Sequence, residues 1–384
     1  MLLNIYNRFP VTFVKGERNN LYDDSGKVYL DFASGIGVNA IGHAHPLWVE
    51  AVANQANHLA HVSNLYHTEP AVKLAAKLVE ISGLAGVFFA NSGAEANEGL
   101  IKMARKYSQD KYGAGRHTIV TLEQSFHGRT ITTLAATGQD KMHQYFDPFT
   151  DGFIHVPAND IGAIKALDEG ICAVLLEPVQ GEGGVLPLDK AYVQAVAKLC
   201  KERDWLLLFD EVQTGIGRTG SWFGFEHFDV LPDAISFAKG VGGGLPLGGF
   251  IVGKKCKDVL GLGDHGTTYG GNPIACAGAL VVLEVIEDLL PEIEAKSKLI
   301  MDRLNAIKGL SQVRGAGLMI GATVDESVGS VRDVVQQLLD KGLVALSAGV
   351  DVLRLLPPLT VTIEELEAGL ALIEEVCEGV TELK

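Results

Sequence analysis

The chain has 384 residues, 47% hydrophobic and 21% charged, which is long enough to bury a sizeable core in one or two domains. Its net charge of −15 argues against a nucleic-acid or anionic-membrane surface, because both need clustered Lys and Arg. Five scattered cysteines without C-x-x-C spacing favour reduced thiols in a cytosolic protein. We expect neither a signal peptide in MLLNIYNRFP nor a transmembrane helix.

The first elements predicted in chain order are an N-terminal hairpin and an alternating middle region. The segment NNLYDDSGKVYLDF predicts a hairpin whose turn is formed by Asp24-Ser25-Gly26. The middle alternates short apolar runs, such as HTIVTLE, ICAVLLEP and WLLLFDE, with helical patterns such as AEANEGLIKMARKY. Such runs favour βα units and a mainly parallel buried sheet. Because ligands bind at the carboxyl ends of these strands, the polar residues there are the first candidates for a site.

The last third of the chain predicts a smaller α/β lobe, in which long amphipathic helices flank short strands such as LMIGATV and VLRLLPP. One long helical pattern follows Asn272 and is expected to break near Pro291. We expect the N-terminal hairpin to pack on this lobe. The predicted division is a large domain over residues 45–285 and a small domain that combines residues 1–44 with residues 286–384.

Two segments at strand ends suggest places for an anion and a flat ring. In NSGAEANE, Ser92 and Glu95 match a capping box directly after the strand VFFA. The backbone N–H groups of such a helix start favour an anion, and an ordinary cap with nothing bound fits the pattern equally well. In HTIVTLEQSFHGRT, Phe126 follows a strand and could stack on a flat ring. The simpler interpretation is a core Phe126 beside a surface His127.

Charged residues in apolar surroundings form a second group of candidates. Asp210 ends the apolar run of WLLLFDEVQTG, and a buried carboxylate needs a partner. The alternative is a capped strand end with a solvated Glu211. Arg354 lies between apolar residues and proline in DVLRLLPPL, which favours a paired or substrate-facing guanidinium. We expect Arg218 at the surface or in a loop.

Lys239, in ISFAKGVGGGLPLGGF, lies between an apolar run and a chain of glycines. In a G-x-x-x-x-G-K-[ST] phosphate loop the lysine follows the glycines, whereas here it precedes them. Residues 215–220 match G-x-G-x-x-G, but SWFGFEHFDVLPD follows and does not predict the long helix that a dinucleotide site requires. The histidines lack the spacing of metal ligands, so we expect no metal, and no G-x-S-x-G elbow of a serine hydrolase occurs.

Together these residues match the requirements of pyridoxal phosphate, which needs a lysine, an acid for its pyridine nitrogen and a cup for its phosphate. The chain also resembles the class III (ω-amino acid) aminotransferases over nearly its whole length, in YLDFASGIGVNAIGHAHP, HVSNLYH, NSGAEANE, SFHGRT, EPVQGEGG, LLLFDEVQTGIGRTG, AKGVGGGLPLGG, HGTTYGGNP and RLLPPL. The resemblance implies pyridoxal phosphate as cofactor. It also implies the α/β fold of aspartate aminotransferase (fold type I), with a mainly parallel seven-stranded sheet in the large domain.

The resemblance implies a role for each matching cofactor residue. Lys239 matches the lysine that binds the cofactor covalently and moves the substrate proton, and Asp210 matches the acid that keeps the pyridine nitrogen protonated. The remaining expected contacts are with the ring faces (Val212 and Phe126), the ring hydroxyl (Gln213) and the phosphate (Ser92, Gly93 and Ala94). Thr268 matches a threonine that reaches the phosphate of the neighbouring subunit, which implies a homodimer with shared active sites.

The resemblance also implies the substrates, because the chain is most similar to the members that act on N2-acetylornithine. Arg129 matches the arginine that holds the α-carboxylate of acetylornithine and the far carboxylate of 2-oxoglutarate. Arg354 would hold the α-carboxylate of glutamate, and Glu182 would pair with Arg354 when an ω-amino substrate is bound. The expected protein is a cytoplasmic homodimer of arginine biosynthesis with small-molecule substrates and no nucleic-acid or membrane partner. One departure is Gly37, which stands where the family usually has Ala.

Several alternatives stay open at this point. An ω-aminotransferase for ornithine, succinylornithine or 4-aminobutyrate would use the same arginines and glutamate, so the sequence does not rank the donors. Aminomutases and decarboxylases share the cofactor set. A non-enzymatic dinucleotide-binding protein would need GIGRTG to be a working phosphate loop.

Overall fold

The computed structural model describes residues 1–167 and 170–381. Its strands are, in chain order, β1 (Phe13–Glu17), β2 (Asn20–Asp23), β3 (Val28–Asp31), β4 (Gly86–Ala90), β5 (Thr118–Leu122), β6 (Phe153–Val156), β7 (Ile171–Leu176), β8 (Val179–Gln180), β9 (Leu186–Pro187), β10 (Leu206–Asp210), β11 (Ala234–Phe237), β12 (Gly248–Val252), β13 (Leu310–Ala316), β14 (Met319–Val324), β15 (Leu343–Val344), β16 (Leu346–Ala348) and β17 (Val352–Leu355).

The α-helices follow in the same order, and short 3-10 helices cover Asp140–Met142, Gly224–Phe228 and Lys239–Gly242. They are α1 (Ser34–Gly37), α2 (Pro46–His58), α3 (Glu69–Ser82), α4 (Gly93–Tyr112), α5 (Ile131–Ala136), α6 (Ile161–Lys165), α7 (Lys190–Arg203), α8 (Pro273–Ala306), α9 (Val331–Asp340) and α10 (Ile363–Thr381). None of the helices in the described ranges combines the length and apolar character needed to cross a bilayer.

The central sheet is the element that positions the site. Among the described residues it has seven strands in the order β4-β12-β11-β10-β7-β5-β6, and β12 alone runs antiparallel to its neighbours. Every residue of β7 and β10 is buried. Val174 and Phe209 pack into one apolar cluster, and Leu175 and Leu208 into another. Successive residues of these strands therefore face two covered sides, as a buried parallel sheet requires, and the predicted α/β fold with its seven-stranded sheet is confirmed.

Two smaller four-stranded sheets lie outside the central sheet, and one of them joins the ends of the chain. The strands β13, β14, β17 and β16 form an antiparallel sheet, and β1, β2, β3 and β15 form a mixed sheet that joins both ends. In the second sheet, Leu343 of β15 pairs in parallel register with Leu30 of β3. The Asp23 carboxylate closes the hairpin turn by accepting the N–H groups of Ser25 and Lys27. The predicted hairpin and its packing on the C-terminal part of the chain are confirmed.

The helix α8 runs unbroken through Pro291, so the predicted break there is wrong. A proline inside a helix costs about 3 kcal/mol, through one lost hydrogen bond and a clash with the preceding turn. On either side, Ile286 and Ile293 are fully buried, and each such side chain contributes about 1.5–3 kcal/mol, which offsets that cost.

The predicted domain boundaries at residues 44/45 and 285/286 stay a prediction, and α8 crosses the second boundary without interruption. Residues 168–169 and 382–384 belong to the predicted domains but lie outside the described residues.

Candidate active site

A cavity of about 440 Å³ opens at the carboxyl ends of β5, β7 and β10. Such an edge of a parallel sheet is where ligands bind in α/β proteins. Its lining includes ten residues predicted from the sequence: Ser92, Gly93, Ala94, Phe126, Arg129, Glu182, Asp210, Val212, Gln213 and Lys239. Of the other two, Arg354 lies behind this lining, and Thr268 is exposed and outside it.

Lys239 lies two residues after the end of the buried strand β11 and enters the cavity from a left-handed backbone conformation, with φ of 46°. Its Nζ makes no hydrogen bond or ion pair with any residue that the structure describes. Burial lowers the pKa of Lys239, against the opposing effect of the Glu182 carboxylate. A lowered pKa favours the neutral amine, which is the form that can act as a nucleophile or a base.

Asp210 is buried at the end of β10 and accepts hydrogen bonds on both carboxylate oxygens. Its Oδ2 accepts from Asn97 Nδ2 at 2.7 Å and lies 2.8 Å from His127 Nδ1. Its Oδ1 accepts from the Val212 N–H at 3.0 Å and from Ser236 Oγ at 3.3 Å. This set of donors supplies the partners that a buried carboxylate needs.

The sequence analysis missed three polar residues of this site: Asn97, His127 and Glu177. The His127 side chain is fully buried, so the surface position given to it by the simpler interpretation of its segment is wrong. His127 Nε2 and Asn97 Oδ1 are buried without a hydrogen-bond partner among the described residues. No local pattern marks Asn97 and His127, because they reach Asp210 only through the tertiary fold.

Glu177 lines the cavity and is almost fully buried. Its Oε2 accepts the backbone N–H of Phe126 at 2.9 Å. Burial, helped by the nearby charge of Asp210, raises the pKa of Glu177 well above its usual range and so favours the protonated form of this carboxyl. A sequence signal did exist, because Glu177 follows the apolar strand ICAVLL just as Asp210 ends LLLFD.

At the start of α4, Ser92 caps the helix, but only half of the predicted capping box forms, because Glu95 Oε2 accepts the backbone N–H of Asn91 at 2.9 Å instead of that of Ser92. Ser92 Oγ accepts the N–H of Glu95 at 3.2 Å and donates to Glu95 Oε2 at 3.0 Å. The backbone N–H groups of Gly93 and Ala94 make no hydrogen bond within the described part of the chain. A side chain at Gly93 would bring its Cβ within 2.7 Å of Val212 Cγ1. This glycine-lined start of a 20-residue helix suits an anion such as a phosphate.

Arg354 lies on β17 with 2% of its side chain exposed. Its Nη1 donates to Glu182 Oε1 at 2.5 Å and to Gln213 Oε1 at 3.2 Å. Burial acts against ionisation of Glu182, but the guanidinium of Arg354 outweighs it and lowers the pKa of that carboxyl. Arg129 is exposed at the cavity, with its guanidinium carbon 5.4 Å from the centre of the Phe126 ring.

Residues 215–220 do not form a dinucleotide loop. They make turns and lead to the 3-10 helix Gly224–Phe228 instead of a long helix. Of the two positions expected for Arg218, the loop is confirmed and the surface is not, because its side chain is buried. The segment folds under the turn between β13 and β14, where Arg218 Nη1 donates to the carbonyls of Leu318 and Pro357 at 3.0 and 2.5 Å.

Glu211 is fully buried, so the alternative of a solvated Glu211 is also wrong. It accepts the N–H groups of Gly224 and Phe225 at 2.9 and 2.7 Å and the hydroxyl of Thr214 at 2.5 Å. These donors come from the following loop, and no local pattern in that loop indicates that it covers Glu211. Burial raises the pKa of Glu211 to about 7, although the hydrogen bonds oppose the rise.

Comparison with known proteins agrees with this geometry. The family model "Aminotransferase class-III" matches residues 4–377. The chain belongs to the class-III aminotransferases. An acetylornithine aminotransferase of Haemophilus ducreyi is 51% identical over 97% of this chain and 95% of its own. A crystal structure of the ornithine aminotransferase of Toxoplasma gondii is 30% identical and superposes with a TM-score of 0.95, covering 100% of this chain and 94% of its own. A second structure of that Toxoplasma enzyme, with a TM-score of 0.94 and 31% identity over 99% of this chain and 93% of its own, is described with PLP at partial occupancy.

This class-III aminotransferase uses pyridoxal phosphate, and its cavity fits that cofactor. Lys239 has an unpaired amine among the described residues, Gly93 leaves the space that a side chain would fill, and the start of α4 presents unpaired N–H groups. Within residues 1–167 and 170–381, no group of three or more His, Cys, Asp and Glu side chains could hold a metal ion.

Proposed function

We propose that the chain transfers the δ-amino group of N2-acetyl-L-ornithine to 2-oxoglutarate, giving N-acetyl-L-glutamate 5-semialdehyde and L-glutamate. The observation that carries the proposal is the ion pair of Arg354 with Glu182 beside Lys239, in the cavity of a class-III aminotransferase. The Haemophilus relative, named an acetylornithine aminotransferase, supports this donor over ornithine, succinylornithine and 4-aminobutyrate.

Different residues of the cavity would contact different parts of the cofactor. Lys239 would bind it covalently, and Asp210 would hold the protonated pyridine nitrogen. The remaining contacts would be Ser92, Gly93 and Ala94 at the phosphate, Val212 and Phe126 at the ring faces, and Gln213 at the ring hydroxyl. When bound, pyridoxal phosphate condenses with an amine and withdraws electrons from the carbon next to that nitrogen.

Side chains of the protein would transfer the proton from the substrate carbon and stabilise the charge of Asp210. Lys239 Nζ would take the proton from the substrate carbon that bears the amino group and deliver it to the aldehyde carbon of the cofactor, and its lowered pKa favours this role as a base. Asn97 and His127 orient the Asp210 carboxylate, which would otherwise be a poorly solvated anion. Glu177 fixes the backbone of Phe126 through its N–H.

Arg354 and Glu182 account for the use of two unlike substrates. Glutamate and 2-oxoglutarate present an α-carboxylate near the reacting carbon, so they need the guanidinium of Arg354 bare. Acetylornithine presents an uncharged chain there and keeps its carboxylate for Arg129, so the charge of Arg354 must be covered. The Glu182 carboxylate, 2.5 Å from Arg354, covers it.

The assembly and location belong to the same proposal. We propose a cytoplasmic homodimer of arginine biosynthesis in which Thr268, exposed and outside its own cavity, reaches the phosphate in the partner subunit. All five cysteines are buried and free, which suits a reducing compartment. We also propose the division into a large domain, 45–285, and a small domain, 1–44 with 286–384. The sheet of β1, β2, β3 and β15, which joins the two ends of the chain, supports it.

A panel of amino donors with 2-oxoglutarate tests the proposal. Acetylornithine should give a higher kcat/KM than ornithine, succinylornithine and 4-aminobutyrate, and a higher value for any of these three would replace it as the donor. The visible absorbance of the purified protein should be lost in Lys239→Ala. A colourless wild type that pyridoxal phosphate does not restore would contradict the assignment of this cavity.

A further inference from the structure

We infer that Gln213 is a specificity-determining residue, whose amide receives whichever carboxylate binds Arg354, that of Glu182 or that of the substrate. This inference rests on the proposed function, in which the two half-reactions need Arg354 covered and bare in turn. It gives Gln213 a role beyond contact with the cofactor.

The three side chains form a closed triad in which each contacts the other two. Gln213 Oε1 accepts from Arg354 Nη1 at 3.2 Å, Gln213 Nε2 lies 3.4 Å from Glu182 Oε1, and Arg354 Nη1 lies 2.5 Å from the same oxygen. The chemistry of the partners fixes the orientation of the amide. A guanidinium only donates and a carboxylate only accepts, so the amide oxygen must face Arg354 and the amide nitrogen must face Glu182.

Packing confines the Gln213 amide to this place. A side chain at Gly181 would bring its Cβ within 2.2 Å of Gln213 Oε1 and 2.8 Å of Met319 Cε. Met319 is fully buried in a small apolar cluster with Val179, so this wall of the site is closed. A glycine at position 181 is therefore a requirement of the triad, because any larger residue would push the amide off Arg354.

Hydrogen bonds also hold the backbone around Glu182 in place. The Glu182 carbonyl accepts the N–H of Gly349 at 3.0 Å, and the Gly184 carbonyl accepts from Arg314 Nε at 3.0 Å. Glu182 can therefore leave Arg354 only by rotating its side chain. Arg354 itself is fixed by burial, and its Nε is buried without a partner in the described part of the molecule.

The carboxylate of Glu182 and that of the substrate would therefore occupy the same binding position, on Arg354 and Gln213, in turn. When the Glu182 side chain rotates away, Gln213 Oε1 still holds Arg354 Nη1, and one N–H of Gln213 Nε2 is released. A substrate carboxylate that replaces Glu182 on Arg354 arrives where that N–H points and accepts it. A carboxylate at position 213 would reverse this arrangement, since it would cover Arg354 permanently and repel both Glu182 and the substrate.

The test uses the holoenzyme variants Gln213→Glu, Glu182→Ala and the double variant, with the acetylornithine and glutamate half-reactions measured separately by stopped-flow absorbance. In Gln213→Glu, the specificity constant for glutamate should fall about 10- to 100-fold more than that for acetylornithine, the size expected for hydrogen bonds to a charged group. The double variant should recover the preference for acetylornithine that Glu182→Ala loses, because Glu at position 213 then covers Arg354. Any loss from a disturbed cofactor contact affects both half-reactions and cancels in their ratio.

A binding measurement without turnover separates this inference from the proposed function. Glutarate, an unreactive dicarboxylate, is titrated by the change in cofactor absorbance, and its affinity should weaken about 10- to 100-fold in Gln213→Glu. Gln213→Met, which keeps the shape and removes both hydrogen bonds, should weaken glutarate binding but give no recovery in combination with Glu182→Ala. Equal losses in both half-reactions with unchanged glutarate affinity would overturn the inference. A wild-type enzyme that does not react with acetylornithine would overturn only the proposed donor and not the role of Gln213.

Discussion

Removing the carboxylate of Glu182 should shift the enzyme's choice of substrate. In Glu182→Ala, Arg354 keeps only Gln213 Oε1 as a partner in the triad, and its Nε stays without one among the described residues. The variant therefore exposes a buried guanidinium to the substrate. Glutamate and 2-oxoglutarate compensate that charge with their own carboxylate, whereas the uncharged end of acetylornithine does not.

The size of the effect follows from the burial of the pair. Breaking a fully buried ion pair costs about 3–5 kcal/mol, but the Glu182 side chain is 29% exposed, so we expect about 1.5–3 kcal/mol. Because about 1.4 kcal/mol corresponds to a tenfold change, the ratio of kcat/KM for acetylornithine to that for glutamate should fall about 10- to 100-fold.

The assay follows each half-reaction by cofactor absorbance in wild type, Glu182→Ala and Glu182→Gln. The glutamine variant keeps the shape and loses the charge, so it should reproduce most of the shift. The matched control is Glu375→Ala, which removes a carboxylate from the exposed pair with Lys341 and should leave the ratio unchanged. Equal losses for both substrates in Glu182→Ala, or no loss, would refute the charge-covering role.

Two further predictions concern Gly93, which lines the cavity, and Glu211, which is buried outside its lining. Gly93→Ala places a Cβ 2.7 Å from Val212 Cγ1, and overpacking of about 1–3 kcal/mol should weaken pyridoxal phosphate binding about tenfold in a fluorescence titration. Gly379→Ala, which meets no atom within 4 Å, serves as the control, and equal affinities in the two variants would contradict the steric argument. Burial raises the pKa of Glu211 from 4.5 to about 7, so the folded chain binds more protons than the unfolded chain in that window. The free energy of unfolding should therefore fall by about 3 kcal/mol as the pH rises from 4.5 to about 7, with no further loss from this group at higher pH. In urea titrations at several pH values, Glu211→Gln should remove this dependence on pH. An unchanged dependence in the variant would disprove the assignment to Glu211.

The features that the sequence predicted most reliably are those determined by a local pattern of residues. Apolar strands followed by a polar residue placed Asp210 and Lys239 at the correct edge of the sheet, and the capping-box spacing placed Ser92 at the start of α4. These features depend on a few neighbouring residues. The resemblance to a family added the roles that no single segment specifies.

Long-range packing decided what the sequence did not predict. Asn97 and His127 reach the Asp210 carboxylate from α4 and from the segment after β5, and nothing in their own segments shows it. Nothing near Arg218 in the sequence indicates that it is buried, because its hydrogen-bond partners are the backbone carbonyls of Leu318 and Pro357, far along the chain. Local sequence predicts a helix break at Pro291, but the helix continues because of burial on both sides of the proline, which is a tertiary property.

The order of the central sheet has a consequence for synthesis on the ribosome. The strand β4, which leads into the start of α4 at Ser92, has β12 as its partner in the sheet, and β12 follows Lys239 in the chain. On a growing chain, Ser92 and Lys239 can therefore come together through the sheet only after β12 has been synthesised and has paired with both β4 and β11. We expect the complete cofactor cavity to form late in translation.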